Sequence, residues 1–192
     1  MNYSQIRSMD ISNGEDVGVA LFTQGCNFHC KNCFNSDTWD FNGGTKWTEE
    51  TKGKFLNLID RDYIKRVSFL GGECLADENV SDIYNLVQEV RKRFPEKKIW
   101  MHTGYVYEDI IKESYAAQFL IDSNDQDRIY LTDKDKCRIF RRKVVNKIDV
   151  LVDGRYVHEL RDQKLKFRGS SNQRVIDVQK TLDTGSVVLY LE

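Results

Sequence analysis

Four short apolar runs divide the sequence, and each of them stops abruptly at a glycine or a polar residue. The runs are VGVALFT at 17–23, RVSFL at 66–70, KKIWM at 97–101 and KIDVLV at 147–152. Runs of this length and composition are typical of buried parallel strands, which are covered on both faces. Each strand is therefore expected to deliver the loop that follows it to the carboxyl edge of one sheet.

Amphipathic helix patterns lie between these runs. Thr48 precedes two glutamates and an apolar face formed by Phe55, Leu56 and Ile59, as in a capped helix. A second apolar pattern at helical spacing covers residues 80–94. Strands that alternate with helices imply right-handed crossovers and a parallel sheet. The expected fold class is therefore α/β, either as an open sheet or as part of a barrel.

Length and charge restrict the classes of function. A chain of 192 residues suits one domain, and a formal net charge of -1 leaves no positive field to gather nucleic acid. The N-terminus lacks a secretory pattern, and no apolar run approaches the roughly 20 residues of a membrane span. We predict a cytoplasmic, single-domain protein with no nucleic-acid or membrane partner. The mixed apolar and charged stretch at about 112–142 is predicted to be a solvated surface excursion.

Three of the five cysteines, Cys26, Cys30 and Cys33, lie in the stretch GCNFHCKNCFN directly after the first run. An odd number of cysteines in a reducing compartment argues against a disulfide framework and leaves metal ligation or reactive thiols. A structural zinc ion needs four ligands, and the fourth would come from His29, Cys74, Cys137 or another chain. A 4Fe-4S cluster has four separate irons, so three thiolates can leave one iron open for a ligand.

The second apolar run ends in Gly71, Gly72 and Glu73. Glycines let the backbone come close to a ligand, and the glutamate adds an acceptor. The C-x3-C-x2-C spacing after a strand, together with this GGE sequence, resembles the radical S-adenosylmethionine enzymes. That resemblance implies an incomplete β/α barrel of parallel strands. It also implies a 4Fe-4S cluster held by the three cysteines, with the GGE loop binding the methionyl ammonium of S-adenosylmethionine.

Five further stretches resemble one family, the activating enzymes of the anaerobic (class III) ribonucleoside-triphosphate reductases. They are MDISNG at 9–14, CFNSDTWDFNGG at 33–44, IWMHTGY at 99–105, DVLVDGRYV at 149–157 and FRGSSNQRVID at 167–177. The resemblance implies a flavodoxin or ferredoxin type donor that reduces the cluster. It further implies that a 5′-deoxyadenosyl radical takes a hydrogen from a glycine near the C-terminus of the reductase large subunit, which creates a glycyl radical.

The same resemblance implies a set of site residues. The cofactor-binding residues are Asn32, Phe34, Gly71, Gly72, Glu73, Thr103, Asp153 and Asn172, the cluster ligands are Cys26, Cys30 and Cys33, and no further catalytic residue is predicted. Asp153 and Asn172 also suit turns, and His102 also suits a satisfied position near the core. Gly72→Val is expected to leave the cluster intact and to weaken cofactor binding. Cys74 stands where the family usually has proline, and we interpret it as a small buried residue.

Two other functions remain open on these residues. A radical S-adenosylmethionine enzyme that acts on a small molecule, similar to a deazaguanine-forming synthase, would use the same cysteines. A zinc-binding module without catalysis would use them as structural ligands. Iron and sulfide content separates the zinc alternative from the other two, and the identity of the substrate separates the two enzymes.

Overall fold

The computed structural model describes residues 1–122 and 132–191. These residues form an α/β fold with one sheet, which contains both parallel and antiparallel strands, and five α-helices. The strands are β1 (Asn2–Asp10), β2 (Gly18–Thr23), β3 (Thr45–Lys46), β4 (Arg66–Gly71), β5 (Lys98–His102), β6 (Val150–Asp153), β7 (Arg174–Asp177) and β8 (Leu189–Leu191). The helices are α1 (Glu49–Ile59), α2 (Val80–Arg93), α3 (Tyr107–Asp122), α4 (Asp133–Val145) and α5 (Val178–Thr184). The strand order is β3-β1-β2-β4-β5-β6-β7-β8.

The four apolar runs of the sequence are the four central strands. β2, β4, β5 and β6 are adjacent and parallel, so the prediction of a parallel α/β core is confirmed. The prediction of parallel strands is wrong at both edges, where β1, β3, β7 and β8 pair antiparallel. The connections from β1 to β2 and from β6 to β7 contain no α-helix, so these strands return antiparallel instead of crossing over.

The helices pack against one face of the sheet. Alternate strand residues, such as Leu21, Phe69 and Met101, share one apolar cluster with residues of all five helices. The intervening residues point to the opposite face, which we call the inner face and define by Phe22, Leu70, Trp100, His102 and Val152. Loops and β8 cover part of that face, since Phe167 and Tyr190 contact the Trp100 ring edge-on.

Helix α1 begins as the sequence predicts. The Thr48 hydroxyl accepts a hydrogen bond from the backbone N–H of Thr51 at 3.2 Å, and the predicted apolar face of Phe55, Leu56 and Ile59 is buried. α2 covers the second predicted helix. Within the part of the chain that the structure describes, no helix combines the length and the apolar character needed to cross a bilayer.

The prediction of a solvated excursion at about 112–142 is wrong for the residues that the structure describes. Those residues belong to α3 and α4, and Ala117, Ile139 and Arg141 are buried. Arg141 is buried because its Nε donates to the Leu75 carbonyl at 2.8 Å and its Nη2 pairs with Asp77. The part of this stretch at 123–131 lies outside the described residues.

Candidate functional site

The loops that follow the central strands surround a cavity of about 440 Å³. Eight of the predicted site residues line it, namely Cys26, Cys30, Cys33, Phe34, Gly71, Gly72, Glu73 and Thr103. Parallel strands bring their carboxyl ends to one edge, which is why residues from four separate motifs meet there. Asn32, Asp153 and Asn172 are the predicted site residues that do not line the cavity.

The cysteine loop folds back on itself so that all three cysteines line the cavity. His29 and Asn32 have positive φ angles of 46° and 55°, and the backbone N–H of Cys33 donates to the Cys30 carbonyl at 3.1 Å. The backbone N–H of Asn35 donates to Cys33 Sγ at 3.4 Å. Asn32 is exposed at the turn, so its backbone conformation shapes the loop while its side chain lies away from the cavity.

The surroundings of the thiols suit the ligands of an iron–sulfur cluster. Burial raises the pKa of Cys26 and Cys30, and the charge of each neighbouring thiolate raises it further. Backbone N–H groups of Phe28 and His29 favour the Cys26 thiolate, while the backbone N–H of Tyr156 and the charge of Arg155 favour that of Cys30. These hydrogen bonds and the Arg155 charge offset part of that rise, and three thiols at one cavity match the donor set of a 4Fe-4S cluster.

A single metal ion makes a different demand on its ligands. Among the described residues, no group of three or more His, Cys, Asp and Glu side chains could hold one metal ion. Ligands of one ion must converge on one point, whereas the thiolates of a cluster each bind a different iron. The absence of such a group among the described residues therefore concerns sites for a single metal ion.

Hydrogen bonds hold the GGE loop against the start of the cysteine loop. The backbone N–H of Gly72 donates to the Thr23 carbonyl at 2.8 Å, and that of Glu73 donates to the Gly25 carbonyl at 2.7 Å. A Cβ atom on Gly72 would lie 2.4 Å from the Gly25 carbonyl oxygen. Gly72 is thus required by its contact with the cysteine loop, in addition to its place at the cavity.

We expect Gly72→Ala to lower both protein stability and cluster content, whereas the sequence alone led to the expectation that Gly72→Val leaves the cluster intact. The added methyl group would displace the backbone of Gly25, an overpacking that costs about 1–3 kcal/mol. Urea unfolding and iron analysis measure the two effects. Gly53→Ala is the matched control, because nothing lies within 4 Å of that position in α1, and alanine there should add about 0.5–1 kcal/mol of stability. Equal behaviour of the two variants would contradict this account.

The Glu73 carboxylate joins the ends of β4 and β5. Its Oε1 accepts from the backbone N–H of Leu75 at 2.8 Å and from the Thr103 hydroxyl at 2.7 Å, and its Oε2 accepts from the backbone N–H of Gly104 at 2.8 Å. Burial raises the pKa of Glu73, and these three hydrogen bonds act in the opposite direction. Glu73 and Thr103 therefore reach the cavity as one hydrogen-bonded pair.

Asp153 and Asn172 serve contacts outside the cavity lining. Asp153 accepts from the backbone N–H of Tyr107 at 2.9 Å, at the start of α3, and from Arg174 Nε at 3.0 Å. Asn172 Nδ2 donates to the Arg155 carbonyl at 2.9 Å. Both residues position the loops around the site, and their own side chains lie outside its lining.

Sequence reasoning missed several cavity residues that follow β6. The Arg155 guanidinium lies 4.4 Å from the centroid of the Phe28 ring, and both residues line the cavity. Gln173 organises the RGSSNQR segment, since its Oε1 accepts from the backbone N–H of Gly169 at 2.9 Å and its Nε2 donates to the Gly154 carbonyl at 2.9 Å. The DGRY sequence after the fourth apolar run could have indicated that Arg155 lies at the cavity, because it follows a strand as the cysteine and GGE loops do.

Cys74 is buried behind the GGE loop. Its Sγ lies 3.6 Å from the Thr23 hydroxyl and 3.6 Å from the Leu70 carbonyl, and it does not line the cavity. Burial strongly raises the pKa of Cys74, which keeps the thiol protonated. A buried, protonated thiol behaves as a small apolar side chain, as the sequence interpretation has it.

Comparison with known proteins gives a consistent result. The sequence profile described as "4Fe-4S single cluster domain" matches residues 12–176. The anaerobic ribonucleoside-triphosphate reductase-activating protein of Escherichia coli (strain K12) is 37% identical over 177 residues, which cover 91% of this chain and 97% of that protein. The proteins of the same name from Enterobacteria phage T4 (34%) and Vibrio cholerae (33%) each match over 175 residues, covering 91% and 90% of this chain and 93% and 96% of their own lengths. The chain therefore belongs to the family of anaerobic ribonucleoside-triphosphate reductase-activating proteins.

Proposed function

We propose that this protein activates an anaerobic ribonucleoside-triphosphate reductase by forming a glycyl radical on it. The proposal depends on the observation that Cys26, Cys30 and Cys33 line one cavity together with the GGE loop. The relatives of this chain are named anaerobic ribonucleoside-triphosphate reductase-activating proteins. Reductive cleavage of S-adenosylmethionine to methionine and a 5′-deoxyadenosyl radical is the chemistry that a 4Fe-4S cluster at this place supplies.

The residues of the chain bind and orient the reacting groups. The three cysteines would hold the cluster, and the backbone of Gly71 and Gly72 and the Glu73–Thr103 pair line the same cavity. We assign the methionyl ammonium to the GGE loop, because Glu73 is the acidic side chain in the lining. Arg155 adds a positive charge beside Cys30, which favours the thiolate that the cluster requires.

Phe34 lies at the mouth of the cavity, with 64% of its surface exposed, and its ring is 5.2 Å from that of Tyr156. An exposed aromatic side chain at the entrance suits contact with a partner protein better than enclosure of a metabolite. The C-terminal glycine loop of the reductase large subunit would complete the site. Electrons would come from a flavodoxin or ferredoxin type donor.

The architecture also supports an incomplete β/α barrel. The helices cover one face of the sheet, and the inner face is left for loops and for the cavity, as in part of a barrel and unlike a sheet wound on both sides. We propose that the whole chain acts as one domain in the cytoplasm. Asn32, Asp153 and Asn172 remain proposed contributors, through the loops that they shape.

Anaerobic incubation with reductant, S-adenosylmethionine and the reductase, followed by electron paramagnetic resonance, tests the proposal. We expect a glycyl signal on the reductase, and no signal when Cys30→Ala replaces the wild-type protein. The alternative is a radical S-adenosylmethionine enzyme that acts on a small molecule. It would be favoured if S-adenosylmethionine were cleaved and a purine-like small molecule consumed while no radical formed on the reductase. One zinc per chain without sulfide would overturn the radical chemistry.

A further inference from the structure

The segment that follows β6, residues 154–161, packs against the cysteine loop, and we call it the wall loop. Three pairs of side chains join the two loops, namely Arg155 with Phe28, Tyr156 with Phe34, and Glu159 with Lys31. The last pair is an ion pair, in which Lys31 Nζ lies 2.6 Å from Glu159 Oε1. The surroundings of the cysteines therefore depend on where the wall loop is held.

Two neighbouring side-chain amides of the RGSSNQR segment hold the wall loop in place. Asn172 Nδ2 donates to the carbonyl of Arg155 at 2.9 Å. Gln173 Nε2 donates to the carbonyl of Gly154, also at 2.9 Å. The segment thus binds two consecutive peptide groups of the wall loop, at the point where that loop lies beside the cavity.

The peptide group between Arg155 and Tyr156 links Asn172 to one of the predicted cluster ligands. Its carbonyl accepts from Asn172, and its N–H belongs to Tyr156, which lines the cavity together with Cys30. Burial raises the pKa of Cys30, while the backbone N–H of Tyr156 and the charge of Arg155 lower it. A peptide group is planar, so a hydrogen bond that fixes its carbonyl also fixes its N–H.

We propose that Asn172 and Gln173 are positioning residues that set the reduction potential of the cluster through the wall loop, an inference that rests on the proposed function. They hold the Arg155–Tyr156 peptide group and the Arg155 charge beside Cys30. Reduction adds a negative charge to a cluster, so hydrogen bonds and positive charge near its sulfur ligands favour the reduced form. These two amides therefore raise the potential and make the cluster easier to reduce.

Redox titration of the anaerobically reconstituted protein without S-adenosylmethionine, followed by electron paramagnetic resonance, tests this inference without turnover. At the wild-type midpoint we expect Asn172→Ala to lower the ratio of reduced to oxidised cluster about threefold, which is about 28 mV at 59 mV per tenfold for one electron. Iron content and melting temperature should match the wild type, because the side chain of Asn172 is exposed. Asn172→Ser replaces this variant if the turn requires a polar residue.

Ser171→Ala is the matched control in the same turn. Ser171 is exposed and absent from the cavity lining, and it contacts the wall loop through its backbone N–H, which donates to the Leu160 carbonyl at 2.9 Å. Alanine keeps that bond, so the potential should stay at the wild-type value. Arg155→Met is the positive control, because it removes the positive charge beside Cys30 and should lower the potential.

Three results would overturn the inference while leaving the proposed function intact. The first is a wild-type potential in Asn172→Ala, and the second is an equal shift in Ser171→Ala. The third is weaker binding of S-adenosylhomocysteine by Asn172→Ala at an unchanged potential, which would make Asn172 a cofactor contact instead. If the wild type assembles no 4Fe-4S cluster, the proposed function fails together with this inference.

Discussion

The iron and sulfide content of the anaerobically reconstituted protein is expected to fall to background when Cys26, Cys30 or Cys33 is replaced by alanine. The wild type should contain about four irons and four sulfides per chain. Each cysteine would bind a separate iron, so no remaining thiol substitutes for the lost ligand. Cleavage of S-adenosylmethionine, measured as 5′-deoxyadenosine formed with dithionite, should disappear in the same variants.

Cys137→Ala provides the matched control for these variants. Cys137 lies on α4, where its Sγ is 3.6 Å from the Asp77 carbonyl, and it is absent from the cavity lining. We expect wild-type iron content and cleavage for this variant. Loss of the cluster in Cys137→Ala, with a normal cluster in Cys26→Ala, would show that the ligand assignment is wrong.

Arg66→Met is expected to lower the free energy of unfolding by roughly 3–5 kcal/mol, the cost of breaking a buried ion pair by removing one partner. Arg66 and Asp10 form that pair at 2.9 Å, and each side chain is only 1% exposed. The guanidinium also donates to the carbonyls of Glu15 at 2.8 Å and Asn13 at 3.1 Å. The substitution leaves the buried Asp10 carboxylate without its guanidinium partner and removes the hydrogen bond to the Glu15 carbonyl.

Urea unfolding of the apoprotein measures this loss independently of the cluster. Lys54→Met is the control, because Lys54 and Glu50 form an ion pair on the exposed surface of α1 and its removal should have no measurable effect. The double variant Arg66→Met, Asp10→Asn should recover part of the stability, since it removes the unpaired charge. Equal stability of Arg66→Met and the wild type would contradict the role given to this pair.

Local pattern was sufficient to predict the central strands and the first two helices. β2, β4, β5 and β6 are continuous apolar runs, and such runs have few alternatives to a buried strand. β1 escaped prediction because its sequence NYSQIRSMD is largely polar, and its backbone pairing with β2 leaves no periodic signal. α4 appeared solvated because the burial of Arg141 depends on partners more than 60 residues away along the chain.

The site residues show the same difference between features set by local sequence and features set by distant contacts. The cysteines and the GGE loop follow strands directly, so their place at the cavity could be predicted from order along the chain. Asp153 ends β6, but its carboxylate binds Arg174 Nε and the backbone N–H of Tyr107 at the start of α3, and it does not line the cavity. Gln173 could not be assigned, because its role depends on the Gly154 carbonyl, which the fold brings next to it from a separate segment.

The backbone contact between Gly72 and Gly25 makes the spacing between the proposed cluster site and the proposed cofactor site a property of the main chain. The loop that carries the first cysteine and the loop proposed to carry the methionyl group touch through peptide groups, and Glu73 ties both to the end of β5. Side-chain substitutions elsewhere in the lining can alter affinity without altering this spacing. A sequence with a side chain at position 72 would need a different backbone path at position 25, so the two positions should vary together among relatives.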